Sequence, residues 1–422
     1  MGQSRRLVLL DPGLASAVGH HSDVNGCLLP ALRRRGWQLE LWADAEAAQD
    51  PALAALSPEL RPLLHNGGYI DPRHWCDLPG TLRQAALLRH QLEAAAAAAP
   101  SPVAAWVAHS LVPFQLIALA QLLQRQPPAQ VVISLMFAPG EVFGGQPELD
   151  LQAQRQAAEL NARSALAALA LAAGRGGHQL LLAAGAEQLI ARYAPLCAAA
   201  GLPPPLLHPS VVGGSDPLAA PDPGPEQILL HWGERKPDKG RDLALAVLAQ
   251  LLEDPALPEP LLQARWCFHA ASRQSPPPAE AQLLARAAQH GQIRVLEGAL
   301  PREAMLQELA RCSALLLPYC PLAYAERSSG VLWLYGAVRL ACGRPARVVG
   351  HGGGWLATEV PALGLSWQPL HPRAAAADAL AALAQVLQMP VGAGLVTPYG
   401  QQVLGRDWSG WLADRLDADS LS

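Results

Sequence analysis

One stretch decides the fold class: Leu315-Leu316-Leu317-Pro318-Tyr319-Cys320-Pro321-Leu322-Ala323-Tyr324-Ala325-Glu326-Arg327-Ser328-Ser329-Gly330-Val331-Leu332. It predicts a buried strand that ends at Pro318, a polar loop, and a helix that begins near Ser328 or Ser329. A strand that leads through a loop into a helix is the unit from which parallel α/β sheets are built. The same order recurs along the chain and therefore predicts an α/β protein.

Short apolar runs alternate with longer helical patterns in both halves of the chain. In the first half the predicted strands are Leu7–Leu10, Trp37–Trp42, Ala104–Ala108, Val131–Leu135 and Leu180–Ala183. In the second half they are Ile228–Trp232, Trp266–Ala270, Ile293–Leu296, Leu315–Leu317 and Arg347–Val349. Each half therefore predicts one Rossmann-like unit, in which ligands bind beyond the carboxyl ends of the strands.

Proline is concentrated between the two halves. Residues 202–227 contain eight prolines, which remove backbone donors and fix φ, so this stretch favours neither a central strand nor a long helix. We predict four parts: an N-terminal domain over residues 1–205, a linker over 206–226, a C-terminal domain over 227–395 and a last segment over 396–422.

Composition narrows the class of protein. Of the 422 residues, 51% are hydrophobic and 16% are charged, which is typical of a globular protein. The net charge is −4 and the sequence has no basic stripe, so we expect no nucleic-acid partner. Seven cysteines without a Cys-x-x-Cys pair favour neither disulfides nor structural zinc. No run approaches the roughly 20 apolar residues of a transmembrane segment, and no signal peptide is visible. We predict a cytoplasmic location.

The first candidate site follows the strand Leu7–Leu10. The stretch Gly19-His20-His21-Ser22-Asp23-Val24-Asn25 places two adjacent histidines beside a helix start near Ser22 or Asp23, whose free N–H groups are suited to an anion. The alternative is a turn with two exposed histidines. The stretch lacks the Gly-x-Gly-x-x-Gly pattern of dinucleotide-binding proteins.

The second candidate site is the stretch Gly233-Glu234-Arg235-Lys236-Pro237-Asp238-Lys239-Gly240, between a strand and a helix. Lys236 and Lys239 are the only lysines in the chain. An ammonium group is a compact charge with rotatable donors, which suits phosphate oxygens. This placement favours a phosphate site over the alternative, a solvated charged loop.

Two further loops carry weaker signals. In the opening stretch, the helix start near Ser329 offers N–H groups to a phosphate, whereas Glu326 alone is typical of a capping residue. The loop Gly350-His351-Gly352-Gly353-Gly354 favours close backbone approach and an ordinary strand–helix connection equally.

Taken in order, these stretches resemble the retaining GT-B glycosyltransferases of the large group-1 family that contains sucrose synthases and many mannosyltransferases. The most specific part is Leu317-Pro318-Tyr319, then Tyr324-x-x-Arg327-x-Ser329-Gly330-Val331 and Gly343-Arg344-Pro345. The resemblance implies two Rossmann-like domains facing across a cleft, with residues 396–422 returning to the N-terminal domain. It also implies transfer of a sugar, with retention, from a nucleotide-sugar donor to a saccharide, lipid-linked or small-molecule acceptor, with no cofactor or metal ion.

The resemblance further implies roles for particular residues. The expected catalytic residues are His109, which would face the donor sugar, and Glu326, which fills the first of two glutamate positions. The donor diphosphate would be held by Arg235 or Lys236 together with Lys239, and by the backbone of Ser329, Gly330 and Val331. The loop on the acceptor side would consist of Gly19, His20, His21 and Asn25.

One position departs from the family pattern. Leu334 stands where the second glutamate would hold the ribose of the donor, and a leucine side chain accepts no hydrogen bond. Trp333 or Tyr335 is a candidate to replace that contact. Leu334 favours an alternative in which the chain has lost turnover and serves as a binding or scaffold partner. Epimerisation of a nucleotide-sugar is a third possibility.

Overall fold

The computed structural model describes residues 5–17, 19–56, 59–65, 77–98, 101–142, 151–211, 225–253, 257–271, 275–389 and 396–418. The chain divides into two compact units. Unit 1 comprises Met1–Ser215 and Asp407–Ser422, and unit 2 comprises Asp216–Arg406. Most of the predicted linker, residues 212–224, lies outside the described residues.

Unit 1 contains a seven-stranded parallel sheet with the strand order β3-β2-β1-β4-β5-β6-β7. Its strands are β1 (Arg6–Asp11), β2 (Gln38–Asp44), β3 (Leu60–Leu64), β4 (Ala105–His109), β5 (Gln130–Ser134), β6 (Gln179–Ala184) and β7 (Leu206–Leu207). The central strands β1 and β4 are buried along their whole length, as expected for apolar runs covered on both faces. Their carboxyl ends therefore meet at one edge of the sheet.

Helices cover this sheet. They are α1 (His20–Arg34), α2 (Pro51–Leu56), α3 (Leu78–Ala97), α4 (Pro113–Leu123), α5 (Leu151–Gly176) and α6 (Glu187–Ala199). We expected α1 to begin near Ser22 or Asp23, but it begins at His20, so that both adjacent histidines lie in its first turn. Because the N–H groups of a first turn have no partner within the helix, this turn favours polar acceptors nearby.

Unit 2 contains a six-stranded parallel sheet with the strand order β10-β9-β8-β11-β12-β13. Its strands are β8 (Gln227–His231), β9 (Arg265–Ala270), β10 (Ile293–Glu297), β11 (Cys312–Leu317), β12 (Arg347–His351) and β13 (Ser366–Leu370). Its helices are α7 (Arg241–Glu253), α8 (Glu259–Leu262), α9 (Pro278–Ala288), α10 (Arg302–Arg311), α11 (Gly330–Ala341), α12 (Gly354–Leu363), α13 (Ala376–Gln388) and α14 (Pro398–Leu404). The predicted α/β class with two parallel sheets is confirmed.

The C-terminal segment divides between the two units. Helix α14 packs on α11 and α12 in unit 2. The last helix, α15 (Trp408–Ala418), packs on α1 in unit 1, with Trp408 and Leu412 in the core beside β1. Arg35 at the end of α1 pairs with Asp414 at 2.6 Å and with Asp417 at 2.7 Å. The part that belongs to unit 1 therefore begins at Asp407, later in the chain than residue 396.

Among the described residues, no helix has both the length and the apolar character that a membrane span requires.

The docking of α15 yields the first prediction. Leu412 is fully buried in the core of unit 1, so Leu412→Ala should lower the free energy of unfolding by about 2–5 kcal/mol, through lost burial and the cavity left behind. Urea denaturation measures this change. The matched control is Leu87→Ala on α3, where the side chain is 53% exposed and the expected change is within about 0.5 kcal/mol. Equal losses in the two variants would contradict the docking of α15.

Candidate functional site

A carboxylate at the end of β1 organises the candidate site of unit 1. Asp11 is 1% exposed, and its Oδ1 lies 2.7 Å from Nδ1 of His21. The backbone N–H of Gly13 donates to the same oxygen at 3.2 Å. The Nδ2 group of Asn25, one turn further along α1, donates to Oδ2 at 2.6 Å. The buried charge is therefore held by donors from the β1–α1 loop and from α1.

The neighbouring strand β4 adds His109, which is 1% exposed. Its Nε2 lies 3.4 Å from Oδ2 of Asp11 and 3.4 Å from Oδ1 of Asn25. Because β1 and β4 are adjacent and parallel, their last residues meet at the same edge. The structure thus brings His21, Asn25 and His109 together around a carboxylate.

Burial and charge act in opposite directions on this cluster. Burial raises the pKa of Asp11, but the charges of His109 and His21 and the hydrogen bonds of His21 and Asn25 outweigh it, so this pKa lies well below its usual range. Burial lowers the pKa of His109 to about 4, against the attraction of Asp11. At neutral pH the cluster therefore holds a carboxylate and a neutral His109.

Ser110 continues the cluster beyond His109. It follows β4 with a φ of 59°, a left-handed conformation that is uncommon for any residue but glycine. Its Oγ lies 3.1 Å from Nδ1 of His109, 2.9 Å from Sδ of Met136 and 3.3 Å from Nε2 of His20. Ser110 is buried whereas His20 is exposed, so polar contacts run from Asp11 to the protein surface.

The residue before His20 is Gly19, whose φ of 111° suits a glycine. It precedes the first turn of α1 and contributes backbone only.

The same cluster has ligand atoms of the kind that metals prefer. One atom each from Asp11, His21 and His109 lies within 4.8 Å of the other two. However, the 2.7 Å contact between Asp11 and His21 is shorter than the roughly 3.3 Å that separates two ligands of a tetrahedral zinc ion. We therefore interpret the three side chains as a hydrogen-bonded network.

The candidate site of unit 2 is built on the loop after β8. Lys239 ends a short 3₁₀ turn before α7 and is partly buried. Burial lowers the pKa of Lys239, and the charge of Lys236 acts in the same direction. Within the part of the chain that the structure describes, the Lys239 ammonium has neither a hydrogen bond nor an ion pair. It lies over Gly233, where a Cβ would stand 3.2 Å from Nζ.

This loop touches the loop after β11. Gly240 has a φ of 66°, and a Cβ at this position would stand 1.8 Å from the carbonyl oxygen of Pro318, so only glycine fits. The backbone N–H of Cys320 donates to the Asp238 carbonyl at 2.8 Å. Nη1 of Arg327 donates to the Asp238 carboxylate at 2.7 Å. The loop after β11 and the lysine loop are therefore held together by direct contacts.

The start of α11 lies in this site. Ser329 caps the helix, because its Oγ accepts the N–H of Leu332 at 3.4 Å and lies 3.3 Å from the Tyr319 hydroxyl. Gly330 and Val331 are the first two helical residues, so their N–H groups have no acceptor within the helix. Glu326 is partly buried in the loop before the cap. An anion site at this helix start stays a prediction.

The other two predicted phosphate ligands have partners of their own. Nε of Arg235 lies 3.5 Å from Glu280 on α9, and Nζ of Lys236 lies 3.3 Å from Glu234. Both side chains are exposed. Among the three cations of the loop, Lys239 is therefore the one without an ion pair in the described part of the chain.

Leu334 lies on α11 and is partly buried. Its two aromatic neighbours are committed to other contacts. Nε1 of Trp333 donates to buried Glu359 at 2.9 Å, and the Tyr335 hydroxyl bonds to the backbone of Arg347 at 3.0 and 3.2 Å. Both side chains are therefore engaged in hydrogen bonds within unit 2.

The sequence patterns assigned no role to four residues of these sites: Asp11, Ser110, Asp238 and Arg327. One signal for Asp11 was available, because it is the single charged residue that directly follows the apolar run Leu7–Leu10. A charge at the carboxyl end of a buried parallel strand lies where such sheets bind ligands. The roles of the others depend on contacts between distant loops.

Several solved structures share this fold at low sequence identity. The N-terminal domain of Candida albicans trehalose-6-phosphate phosphatase is 11% identical, with 99% of this chain and 97% of that chain covered and a TM-score of 0.58. The UDP-forming trehalose-phosphate synthase of Burkholderia xenovorans, in complex with glucose-6-phosphate, is 13% identical, with coverages of 99% and 100% and a TM-score of 0.55. HepE of Anabaena in complex with UDP is 15% identical, with coverages of 99% and 99% and a TM-score of 0.53.

These likenesses assign the chain to the GT-B fold, which confirms the resemblance to GT-B glycosyltransferases at the level of the fold. No protein-family model matches the chain, and no curated protein sequence matches it.

The buried His109 yields a prediction on pH. Because the pKa of His109 falls from 6.5 in its ordinary state to about 4 in the folded protein, the unfolded chain binds a proton between these values that the folded chain does not. Stability should therefore fall on acidification from pH 6.5 to pH 4, with about 3 kcal/mol attributable to this residue.

Urea denaturation between pH 4 and pH 7 measures this slope. His109→Gln should reduce this slope but not abolish it, because burial also lowers the pKa of His208 to about 4. His90→Gln should leave the slope unchanged, because the His90 side chain is 67% exposed. A wild-type slope retained in His109→Gln would refute the assignment.

Proposed function

We propose that this protein binds a nucleotide-sugar in unit 2 and transfers the sugar, with retention, to an acceptor held by unit 1. The acceptor is a saccharide, a lipid-linked compound or another small molecule. The GT-B fold is compatible with this activity, and the proposal rests on the site. Metal ions and cofactors have no part in it.

The observation that carries the proposal is the unpaired ammonium of Lys239. Burial outweighs the attraction of Asp238 and Glu234 for this partly buried ammonium, and no described residue forms an ion pair or a hydrogen bond with it. The N–H groups of Gly330 and Val331 start a helix in the same site, which favours negative charge there. A diphosphate satisfies both features and would leave as a stabilised anion when the sugar is transferred.

A thermal-shift screen with UDP-, GDP- and ADP-sugars tests the proposal. UDP-sugars come first, because HepE of Anabaena was solved with UDP and the Burkholderia synthase is UDP-forming. A ligand present at about 100 times its dissociation constant should stabilise the protein by roughly 2.7 kcal/mol. The absence of a shift with all three classes would refute donor binding. Product analysis without acceptor distinguishes transfer from epimerisation.

The lysine loop gives a prediction for binding. Lys239→Ala should weaken nucleotide-sugar binding by about 10- to 100-fold, because a charge-assisted hydrogen bond of about 1.5–3 kcal/mol is lost. Arg33→Ala is the control, since Arg33 pairs with Glu59 at 2.7 Å on the surface of unit 1. Calorimetry measures both affinities, and equal values would count against the site.

Two further variants resolve the choice between Arg235 and Lys236. Arg235→Ala and Lys236→Ala should each weaken binding less than Lys239→Ala, because each cation already has a carboxylate partner. A larger effect for either variant would move the phosphate contact to that residue.

A second candidate function, a binding or scaffold module without turnover, is favoured by Leu334. The variant Leu334→Glu separates the two. A carboxylate that faces a ribose gains a charge-assisted hydrogen bond of roughly 1.5–3 kcal/mol, so donor affinity should rise. A carboxylate among apolar neighbours instead costs several kcal/mol or stays protonated.

For this variant, calorimetry measures the donor affinity and urea denaturation measures the stability. Tighter donor binding with unchanged stability supports the transferase. Lost stability without donor binding supports the scaffold. Leu340→Glu is the control, because Leu340 is equally partly buried on α11 but lies at its far end.

A further inference from the structure

Two consecutive residues of the lysine loop (residues 233–240) carry polar atoms without a partner. Nζ of Lys239 has neither a hydrogen bond nor an ion pair among the described residues. In the same part of the chain, Oδ1 of Asp238 is buried and accepts no hydrogen bond. Burial lowers the pKa of Lys239, and the attraction of Asp238 offsets this only in part, because the two groups do not form an ion pair. The loop therefore offers one unmatched donor beside one unmatched acceptor.

The other oxygen of Asp238 has a structural role. Oδ2 accepts a hydrogen bond from Nη1 of Arg327 at 2.7 Å, and the backbone carbonyl of Asp238 accepts the N–H of Cys320 at 2.8 Å. These contacts hold the carboxylate between the lysine loop and the loop after β11. The Asp238 side chain is 26% exposed, so a ligand can reach it. A half-turn about the bond between Cβ and Cγ exchanges the two oxygens, so either of them can face that ligand.

The surroundings of Asp238 favour a neutral hydrogen-bond donor over a further cation. The carboxylate lies near two cations, the guanidinium of Arg327 and the ammonium of Lys239, and both would repel a third. The nearby hydroxyl of Tyr319 stays protonated, because burial and the charge of Asp238 raise its pKa to about 12, but its hydrogen-bond partner is Ser329. The acceptor that remains at Asp238 therefore suits a hydroxyl group of a ligand.

We propose that Asp238 is a specificity-determining residue that accepts a hydrogen bond from a hydroxyl group of the nucleotide-sugar, beside the diphosphate that the proposed function assigns to Lys239. This inference rests on the proposed function and deepens it. A nucleotide-sugar presents both partners close together, because its diphosphate oxygens accept and the hydroxyl groups of its sugar and its ribose donate. Inorganic diphosphate offers acceptors to Lys239 but brings no hydroxyl group to Asp238.

The binding of deoxy analogues tests this role. The probes are UDP-glucose, or the GDP- or ADP-sugar that the thermal-shift screen selects instead, and its analogues that each lack one hydroxyl group of the sugar or of the ribose. In calorimetry, the wild-type protein should bind one analogue about 10- to 100-fold more weakly than the complete donor, because a charge-assisted hydrogen bond is lost. The position of the missing hydroxyl group shows whether Asp238 contacts the sugar or the ribose.

Variants of the ion pair separate recognition of the hydroxyl group from a structural role. Asp238→Ala should bind the complete donor and that analogue within about twofold of each other, because the acceptor of the hydroxyl group is gone. Arg327→Ala is the matched control, since it breaks the same ion pair but keeps the carboxylate, and it should still discriminate by at least about 10-fold. Asp238→Asn keeps an oxygen for Arg327 and should discriminate to an intermediate degree, because the acceptor has lost its charge.

Three results would overturn the inference. The first is a wild-type protein that binds every analogue as tightly as the complete donor, and the second is an Asp238→Ala variant that discriminates as strongly as the wild type. The third is an equal loss of discrimination in Asp238→Ala and Arg327→Ala, which would give the ion pair a structural role alone. A wild-type protein that binds none of the UDP-, GDP- and ADP-sugars would overturn the proposed function and this inference with it, whereas binding without discrimination overturns the inference alone.

Discussion

The structure of unit 1 depends on one buried charge, the carboxylate of Asp11, and on the hydrogen bonds that compensate it. A carboxylate removed from water costs several kcal/mol unless hydrogen-bond donors replace the water. Asp11 receives such donors from Gly13, His21 and Asn25, which ties the end of β1 to the first two turns of α1. It also lies within 3.4 Å of His109, at the end of β4. The same contacts that make the buried aspartate tolerable thus fix the positions of the side chains around it.

The buried cations of unit 2 differ in whether they have hydrogen-bond and ion-pair partners. Arg241 is compensated by Glu280 at 2.5 Å, and Arg339 donates to two backbone carbonyls and pairs with Glu226. These guanidinium groups are structural, because their donors are satisfied within the unit. Lys239 is different, since no described residue forms an ion pair or a hydrogen bond with its ammonium. This contrast within one unit is the reason that the proposed function assigns the phosphate contact to Lys239.

The sequence predicts the elements of this fold better than the partners of the site. Ten apolar runs predict ten of the strands. Strands β3 and β13 were not predicted, because β3 (Leu60–Leu64) contains a proline and β13 (Ser366–Leu370) contains polar residues. His109 could be singled out through a family resemblance, whereas its contacts with Asp11 and Ser110 follow from strand order and backbone conformation. The order β2-β1-β4 brings Asp11 and His109 together over 98 residues of sequence, and local patterns do not encode such a pairing.

The two aromatic neighbours of Leu334 already have hydrogen-bond partners within unit 2. Trp333 is held by Glu359, which also accepts from the Tyr399 hydroxyl, and Tyr335 is fully buried against Arg347. If either ring turned towards a ribose, Glu359 or the backbone of Arg347 would lose its hydrogen-bond partner. The free energy lost in this way is comparable to that gained from the new bond. The start of α11 retains its cap and its free N–H groups. The proposed function therefore assigns donor recognition to the diphosphate rather than to the ribose, and it gives Lys239 a larger role than it would have beside a carboxylate at 334.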